Sequence, residues 1–365
     1  MHRAQHLVPV AVKRRRGESG SALIPVLALI MACSMIVTAV IGISQLNTFT
    51  MAAHTKQQRS QYICEGAANR IQWLVAAERT KHPSVSYQNF DYADTEYERF
   101  LPDGVEHTMD YHGVPVKFRI TDAAAGLDFS ARMRNTTLSR LRMNSATDTE
   151  YQDVMEKLRD QINDYVDSND TVSGEAYEEA EYDELGQAPL PRNAAFQYRE
   201  ELFYLPEFME LFPADKNGRL SSIRVIPPDS MLTVQTGGQG GNRGGRNNRQ
   251  TNLFANSPNL FGAPDLYLKR VFNLEDSEVA EIRDGIRQYQ TEQVKLSDVI
   301  DSTLFQKIRN SSYLTWTPGN VYTVEVEPYA GEEKMPSKRL VFTWTGVNQL
   351  KPADNIVRYL EWMFY

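Results

Sequence analysis

The chain has 365 residues, of which 41% are hydrophobic and 24% charged, enough for two or three packed units and too apolar for a wholly disordered chain. A net charge of −8 argues against nucleic acid as the main partner, since an acidic chain gains little from phosphate neutralisation. Two Cys exclude a disulfide framework and a Cys-rich zinc site, and six His leave little for a His-based metal centre.

The first 20 residues carry Arg3, Lys13, Arg14, Arg15 and Arg16 against the single acid Glu18, so the rest of the chain is more acidic than the whole. Residues 21–46 follow with no charge, and at ~1.5 Å per residue a helix of that length crosses a ~30 Å hydrocarbon core. The basic cluster should stay on the cytoplasmic side, which puts the bulk of the chain in the opposite compartment, the periplasm in a two-membrane bacterium.

Four readings compete for this segment. A cleavable secretory signal has an apolar core of only ~7–15 residues, shorter than this run. A lipoprotein signal would modify Cys33, yet Met35, Ile36 and Val37 continue the apolar run past it. Arg14-Arg15-Arg16 hints at a twin-arginine signal, but the residues after it fit poorly. A prepilin-type segment fits best. The hydrophilic leader 1–20 ends in Gly20, and the apolar helix starts at once with Ser21-Ala22-Leu23-Ile24, so a cytoplasmic-face peptidase would cut the Gly20–Ser21 bond. The Glu usual at the fifth mature position is replaced by Pro25. A carboxylate in lipid is costly unless paired, so a subunit that never stacks on another can dispense with it.

The helix should continue past the membrane as an amphipathic stalk. Tyr62, Ala68, Ile71, Trp73, Leu74 and Ala77 fall at helical spacing, and Pro83 ends the run. Cys33 and Cys64 share this helix too far apart to bridge and read as packing residues. Residues 84–131 read as strands and loops, with Val114–Ile120 the clearest strand. A helix capped by Thr147 or Asp148 should present Tyr151, Val154, Met155, Leu158, Ile162 and Tyr165 on one face. From Asp164 to Glu184 there are nine acidic residues and no Lys or Arg. Short helices should open at Glu200 and Pro206. Residues 237–250 form a low-complexity Gly-rich segment with Arg243, Arg246 and Arg249; it lacks the Lys-Ser/Thr of a phosphate loop and reads as a solvated loop. Asn273 should cap a helix bearing Val279, Ile282, Ile286 and Tyr289, and Ser297 a second one through Leu304 and Ile308. The end reads as an antiparallel meander of Val321–Glu327, Lys338–Thr345 and Ile356–Phe364, with turns at Gly331 and near Pro352.

The expected organisation is therefore a leader at 1–20 and a membrane helix at 21–46. A stalk with the first strands follows at 47–131, then a mainly helical insertion at 132–310 and closing strands at 311–365. The two β blocks need each other, because a short isolated sheet is marginal. No catalytic group stands out. His2 and His6 lie in the leader, His54 and His82 on the stalk, and His107 and His112 read as surface polar; H-E-x-x-H and G-x-S-x-G are absent.

Over nearly its whole length the chain resembles the K-type minor pseudopilins of type II secretion (general secretion pathway protein K). Four elements carry the resemblance. They are the Gly20-Ser21-Ala22-Leu23-Ile24 junction, Asp164-Tyr165-Val166-Asp167-Ser168-Asn169-Asp170 with Gly174-Glu175 and Tyr182, Pro191-Arg192-Asn193-Ala194-Ala195-Phe196 followed by Glu200-Glu201-Leu202, and Ser311-Ser312-Tyr313. The Gly-rich segment and Asn256-Ser257-Pro258 depart from the family pattern. The resemblance implies an α+β, pilin-like fold, with a long N-terminal helix on an antiparallel sheet and a large helical insertion. It implies a non-enzymatic tip subunit of a periplasmic pseudopilus, anchored in the inner membrane. Its partners would be the I-type and J-type minor pseudopilins, the major pseudopilin and the prepilin peptidase. It also implies calcium at Asp164, Asp167, Asp170 and Glu175, hard oxygen ligands of the kind Ca²⁺ takes. A minor pilin of a type IV pilus, or a single-pass anchored periplasmic protein outside any pilus, is the alternative.

Overall fold

The structure, a computed structural model, describes residues 23–365 apart from 170, 173, 175, 176, 178, 187–189, 216, 217, 227–256, 330–338 and 346–357. The leader, the Gly20–Ser21 junction, the Gly-rich segment and the turns expected at Gly331 and Pro352 lie outside the described residues. Two compact units divide the chain, Met1–Arg59 and Ser60–Tyr365, and helix α1 (Leu23–Lys81) runs through the boundary.

In the first unit the described residues are all helical, and the large apolar side chains from Leu23 to Met51 are exposed. The hydroxyls of Thr38, Thr48, Thr50 and Thr55 each donate to the carbonyl four residues earlier, at 2.8 to 2.9 Å. An apolar solvent therefore meets methyl groups instead of unsatisfied O–H groups. This is a helix long and apolar enough to cross a membrane.

In the second unit the rest of α1 lies on a five-stranded antiparallel sheet of order β1-β2-β5-β6-β7. The strands are β1 (Asp103–Tyr111), β2 (Val114–Asp122), β5 (Val321–Pro328), β6 (Leu340–Thr345) and β7 (Arg358–Phe364). The three closing strands pair as the expected meander. Alternation along β2, β5 and β6 turns Val116, Phe118, Ile120, Tyr322, Val324, Val326, Leu340, Phe342 and Trp344 toward Cys64, Ala67, Ala68, Ile71 and Val75 of α1.

The buried face of α1 differs from the stripe expected. Ala68 and Ile71 are in it and Leu74 and Ala77 are half-buried, but Tyr62 and Trp73 are 71% and 65% exposed. The buried residues of the helix are Ser60, Cys64, Ala67, Ala68, Ile71, Val75 and Glu78, and Cys64, Ala67, Ala68, Ile71 and Val75 pack on the sheet. Small side chains let the backbone approach the sheet closely, whereas the two large aromatics, three turns apart, share the opposite stripe. Cys64 is fully buried, as a packing residue should be; Cys33 is exposed on the apolar helix.

Between β2 and β5 the chain builds a helical body with its own core. Its elements are β3 (Leu127–Asp128), α2 (Arg134–Leu141), α3 (Thr149–Val166), α4 (Glu179–Glu184), a 3₁₀ turn (Arg199–Tyr204), α5 (Pro206–Leu211), β4 (Ile223–Arg224), α6 (Asp265–Phe272), α7 (Asp276–Glu292), α8 (Leu296–Val299) and α9 (Ser302–Arg309). A parallel pairing of β3 with β4 ties its first and middle segments. Val85, Tyr87, Leu101 and Val105, which precede β2, also enter this core. Asp148 caps α3, accepting from the Tyr151 amide at 3.2 Å, and Tyr151, Met155, Leu158, Ile162 and Tyr165 are buried as the helical period requires, with Val154 half-buried.

Three expectations are corrected. Asn273 does not open α7; it closes the unanticipated α6 in the left-handed region at φ +50°, which Asn tolerates, while Glu275 and Glu278 form the capping box of α7. The helix expected from Ser297 is two helices, because the Asp301 carboxylate accepts from the Thr303 and Leu304 amides and starts α9 afresh. His107 is buried, not at the surface: it lies between Phe100 and Phe118, with Nδ1 3.0 Å from Glu98 Oε1, while His112 is exposed.

If the small face of α1 sets its distance from the sheet, Ala68→Leu should lower unfolding stability by about 1–3 kcal/mol through overpacking. Trp73→Ala, on the exposed stripe, should stay within about 0.5 kcal/mol of the parent in the same denaturant titration.

Candidate functional site: the joint of the inserted body and its acidic end

The body meets the sheet where β1 begins and β2 ends, and the two strands pair there, Asp103 opposite Thr121. Two buried carboxylates hold this joint. Asp122, the last residue of β2, accepts from the Ala124 amide (2.8 Å) through Oδ1. Its Oδ2 accepts from the Asn259 amide group (3.1 Å) and the Gly319 amide (2.8 Å). One side chain thus holds the chain as it leaves the sheet, the middle of the body, and the chain as it returns to β5. Gly319 is required by closeness, since a Cβ there would lie 2.7 Å from Asp122 Oδ1 and 2.9 Å from Ala124 Cβ. Beneath it, Arg224 of β4 pairs with Asp128 of β3 at 3.4 Å and donates to the Ala124 carbonyl.

Asp103 holds the other strand. Its Oδ2 accepts from the hydroxyls of Tyr92 (2.6 Å) and Tyr289 of α7 (2.8 Å), Oδ1 from the Val105 amide (3.1 Å), and its backbone carbonyl from Gln290 Nε2 (2.7 Å). Burial pushes both carboxyls above the usual carboxylate range, and the hydrogen bonds pull back against it. Burial, and after it the nearby Asp103, drives the Tyr92 and Tyr289 phenols well up. Sequence reading missed this joint. Asp122 is only the polar end of a strand in one dimension, and its partners lie 137 and 197 residues away.

Of the residues expected to hold calcium, Asp164 and Asp167 are described; Asp170 and Glu175 lie outside the described residues. Asp164 is fully buried on the inner side of α3. Asp167 ends that helix and is turned to Asn169, Oδ1 accepting from its amide (3.2 Å) and Oδ2 from its side chain (2.7 Å). Gly174, at φ +64°, lies against Asp160, whose carboxylate a Cβ would approach to 2.4 Å. Among the described residues no group of three or more His, Cys, Asp or Glu is placed to hold a metal.

The segments around this acidic end converge. Phe196 stacks on Tyr165 with ring centroids 5.1 Å apart, and Tyr182 meets the same ring edge-on at 6.3 Å. Glu201 gathers the strand of chain before it: Oε1 accepts from Arg192 Nη1 (2.9 Å) and the Gln197 and Tyr198 amides (2.8 and 2.9 Å), and Oε2 from the Tyr165 hydroxyl (3.3 Å). Tyr165, Tyr182, Arg192, Phe196 and Glu201, scattered over 37 positions of sequence, thus form one cluster. Burial and the Glu201 carboxylate raise the Tyr165 phenol.

No family model matches the chain, and no curated protein matches it. Among solved structures it is similar to a chain of the crystal structure of the GspK-GspI-GspJ complex from the type 2 secretion system of enterotoxigenic Escherichia coli. The match has 11% sequence identity and a TM-score of 0.44, and covers 87% of this chain and 99% of that one.

Because the Asp103 carboxyl is raised in the folded state, its favourable contribution is full below the unfolded value and is lost as pH rises through the folded one. The parent should therefore lose stability relative to Asp103→Asn as pH goes from about 4 to about 7. Paired denaturant titrations across that interval measure it, and a constant difference would show that the carboxyl does not titrate within the joint.

Proposed function

We propose that the chain is a K-type minor pseudopilin that acts at the tip of a type II secretion pseudopilus in protein export. The observation that carries this reading is the double use of α1. Its first part is an uncharged apolar helix, and from Ser60 onward the same helix supplies one wall of the sheet core. The sheet core of such a subunit is built on the continuation of its anchor helix. On this reading the domain is delivered by extraction of the whole helix from the membrane into a filament. The large body between β2 and β5 suits a position where nothing is added above, and the missing fifth-position Glu suits a subunit with no neighbour's amine to neutralise. The role is structural, and no reaction is assigned to any residue.

On this reading the prepilin peptidase cuts between Gly20 and Ser21 at the cytoplasmic face of the inner membrane, and the new N-terminus is methylated. The folded domain stands in the periplasm. I-type and J-type minor pseudopilins bind it and the major pseudopilin enters below. Mass spectrometry of the full chain expressed with and without a prepilin peptidase tests the first step. Mature protein should begin at Ser21 only when the peptidase is present. A start near residue 46 or an uncut chain in the presence of active peptidase would remove the pseudopilin reading.

Calcium belongs to the same proposal, with Asp164, Asp167, Asp170 and Glu175 as its oxygen ligands. Calcium at a hundred times its dissociation constant should stabilise the folded domain by about 2.7 kcal/mol. EGTA should reverse this, and Asp167→Ala, at a helix end, should abolish it. A melting temperature indifferent to calcium would delete the ion from the proposal and leave the filament role standing.

A further inference from the structure

Where α1 ends, the chain turns back over a cleft of about 540 Å³ lined by Lys81, His82, Ser84, Ser86, Asn89 and Arg99, with Val85 and Phe90 as its apolar part. In a protein of net charge −8 this lining contains three basic residues and no carboxylate. One acid stands behind it: Glu78, buried, binds Arg99 through a single oxygen, Oε1, which takes both Nε (2.7 Å) and Nη2 (2.6 Å). Arg99 Nη1 has no partner among the described residues, and the guanidinium is held in place over the Phe90 ring at 5.1 Å. Lys81 Nζ makes no ion pair among the described residues; it rests 3.7 Å above the Tyr97 ring, which leaves its N–H groups free to donate outward. The Nε2 atom of His82 is buried and has no hydrogen-bond partner, a state that costs free energy unless something comes to meet it.

These features share one complement. The carbonyl ends of α1 disfavour an anion here, and Arg79 and Lys81 in its last turn offset them. What remains in one lining is a guanidinium with an N–H to spare, an ammonium, the Ser84 and Ser86 hydroxyls, and the imidazole whose buried Nε2 lacks a partner. We propose that this cleft binds an oxyanion group, with Lys81 Nζ, Arg99 Nη1 and His82 Nε2 as its principal donors. The inference does not rest on the pseudopilin reading. A free inorganic oxyanion and the carboxylate of an acidic protein segment present the same chemistry to these donors.

The test uses the full chain in detergent micelles, titrated at constant ionic strength with inorganic phosphate in one arm and tetraglutamate in the other. Calorimetry reads binding, and the His82 imidazole resonance reports its place. Saturable binding that moves this resonance is expected in at least one arm. Phosphate alone identifies a small oxyanion as the ligand, and tetraglutamate identifies a carboxylate-bearing segment. Lys81→Met and His82→Gln should each raise the dissociation constant about tenfold, the loss of one charge-assisted hydrogen bond. The unfolding midpoint of each variant measured without ligand separates a loss of fold from a loss of binding. Arg99 is left alone, because removing it strands the buried Glu78. Absence of saturable binding in both arms, or undiminished binding in the Lys81→Met, His82→Gln double variant, would overturn the proposal.

Discussion

The architecture of the second unit depends on a carboxylate at the place where the chain leaves the sheet. An insertion of nearly 200 residues between two paired strands would ordinarily let the strand ends splay, because nothing local holds exit and return together. Asp122 supplies that hold by binding amide groups from residues 124, 259 and 319 at once. The Ala123 amide adds to it, donating to the Val321 carbonyl at 2.9 Å. Closing a long loop costs entropy that grows only slowly with length, so once exit and return are pinned the body can be large at little extra cost. The price is a buried carboxyl whose desolvation outweighs the hydrogen bonds that pull its pKa down, so the group stands above the usual carboxylate range.

The second constraint is the distance between α1 and the sheet. A helix packed through Cys64, Ala67 and Ala68 sits closer than one packed through Leu or Phe, and the β side must then supply the bulk. It does so with Phe118, Tyr322, Phe342 and Trp344, whose rings fill what the helix leaves. Small residues on the helix and large ones on the strands are one packing solution written in two places. Gly66 extends it to the sheet edge, where the Tyr111 hydroxyl occupies the space a Cβ would need.

What could be read from the sequence follows the range of the physics involved. The apolar run, the α3 stripe from Tyr151 to Tyr165 and the alternation of the closing strands are local patterns, and each formed where its period put it. The exposed Trp73 shows the limit of such patterns: an aromatic at helical spacing reads as core unless the sheet's own side chains are known. Asn273 and Asp301 were decided by cap geometry, in which one residue can end a helix or begin one, and neighbouring sequence alone does not choose. The joint was invisible for a stronger reason. Asp103 and Asp122 look like ordinary strand ends, and their meaning lies in Tyr289, Asn259 and Gly319, at least 137 residues away.

The cluster around Glu201 occupies the ground between these cases. In the sequence its residues are short separate blocks, and nothing in their spacing groups them. The structure supplies the grouping. A carboxylate that accepts from two backbone amides, an arginine and a tyrosine hydroxyl fixes an otherwise irregular segment against α3, and the Tyr165–Phe196 stack excludes water from that contact. The C-terminal end of α3 is thereby tied to the segment from Arg192 to Glu201, at the point where a stretch of chain without Lys or Arg, Asp164 to Glu184, begins.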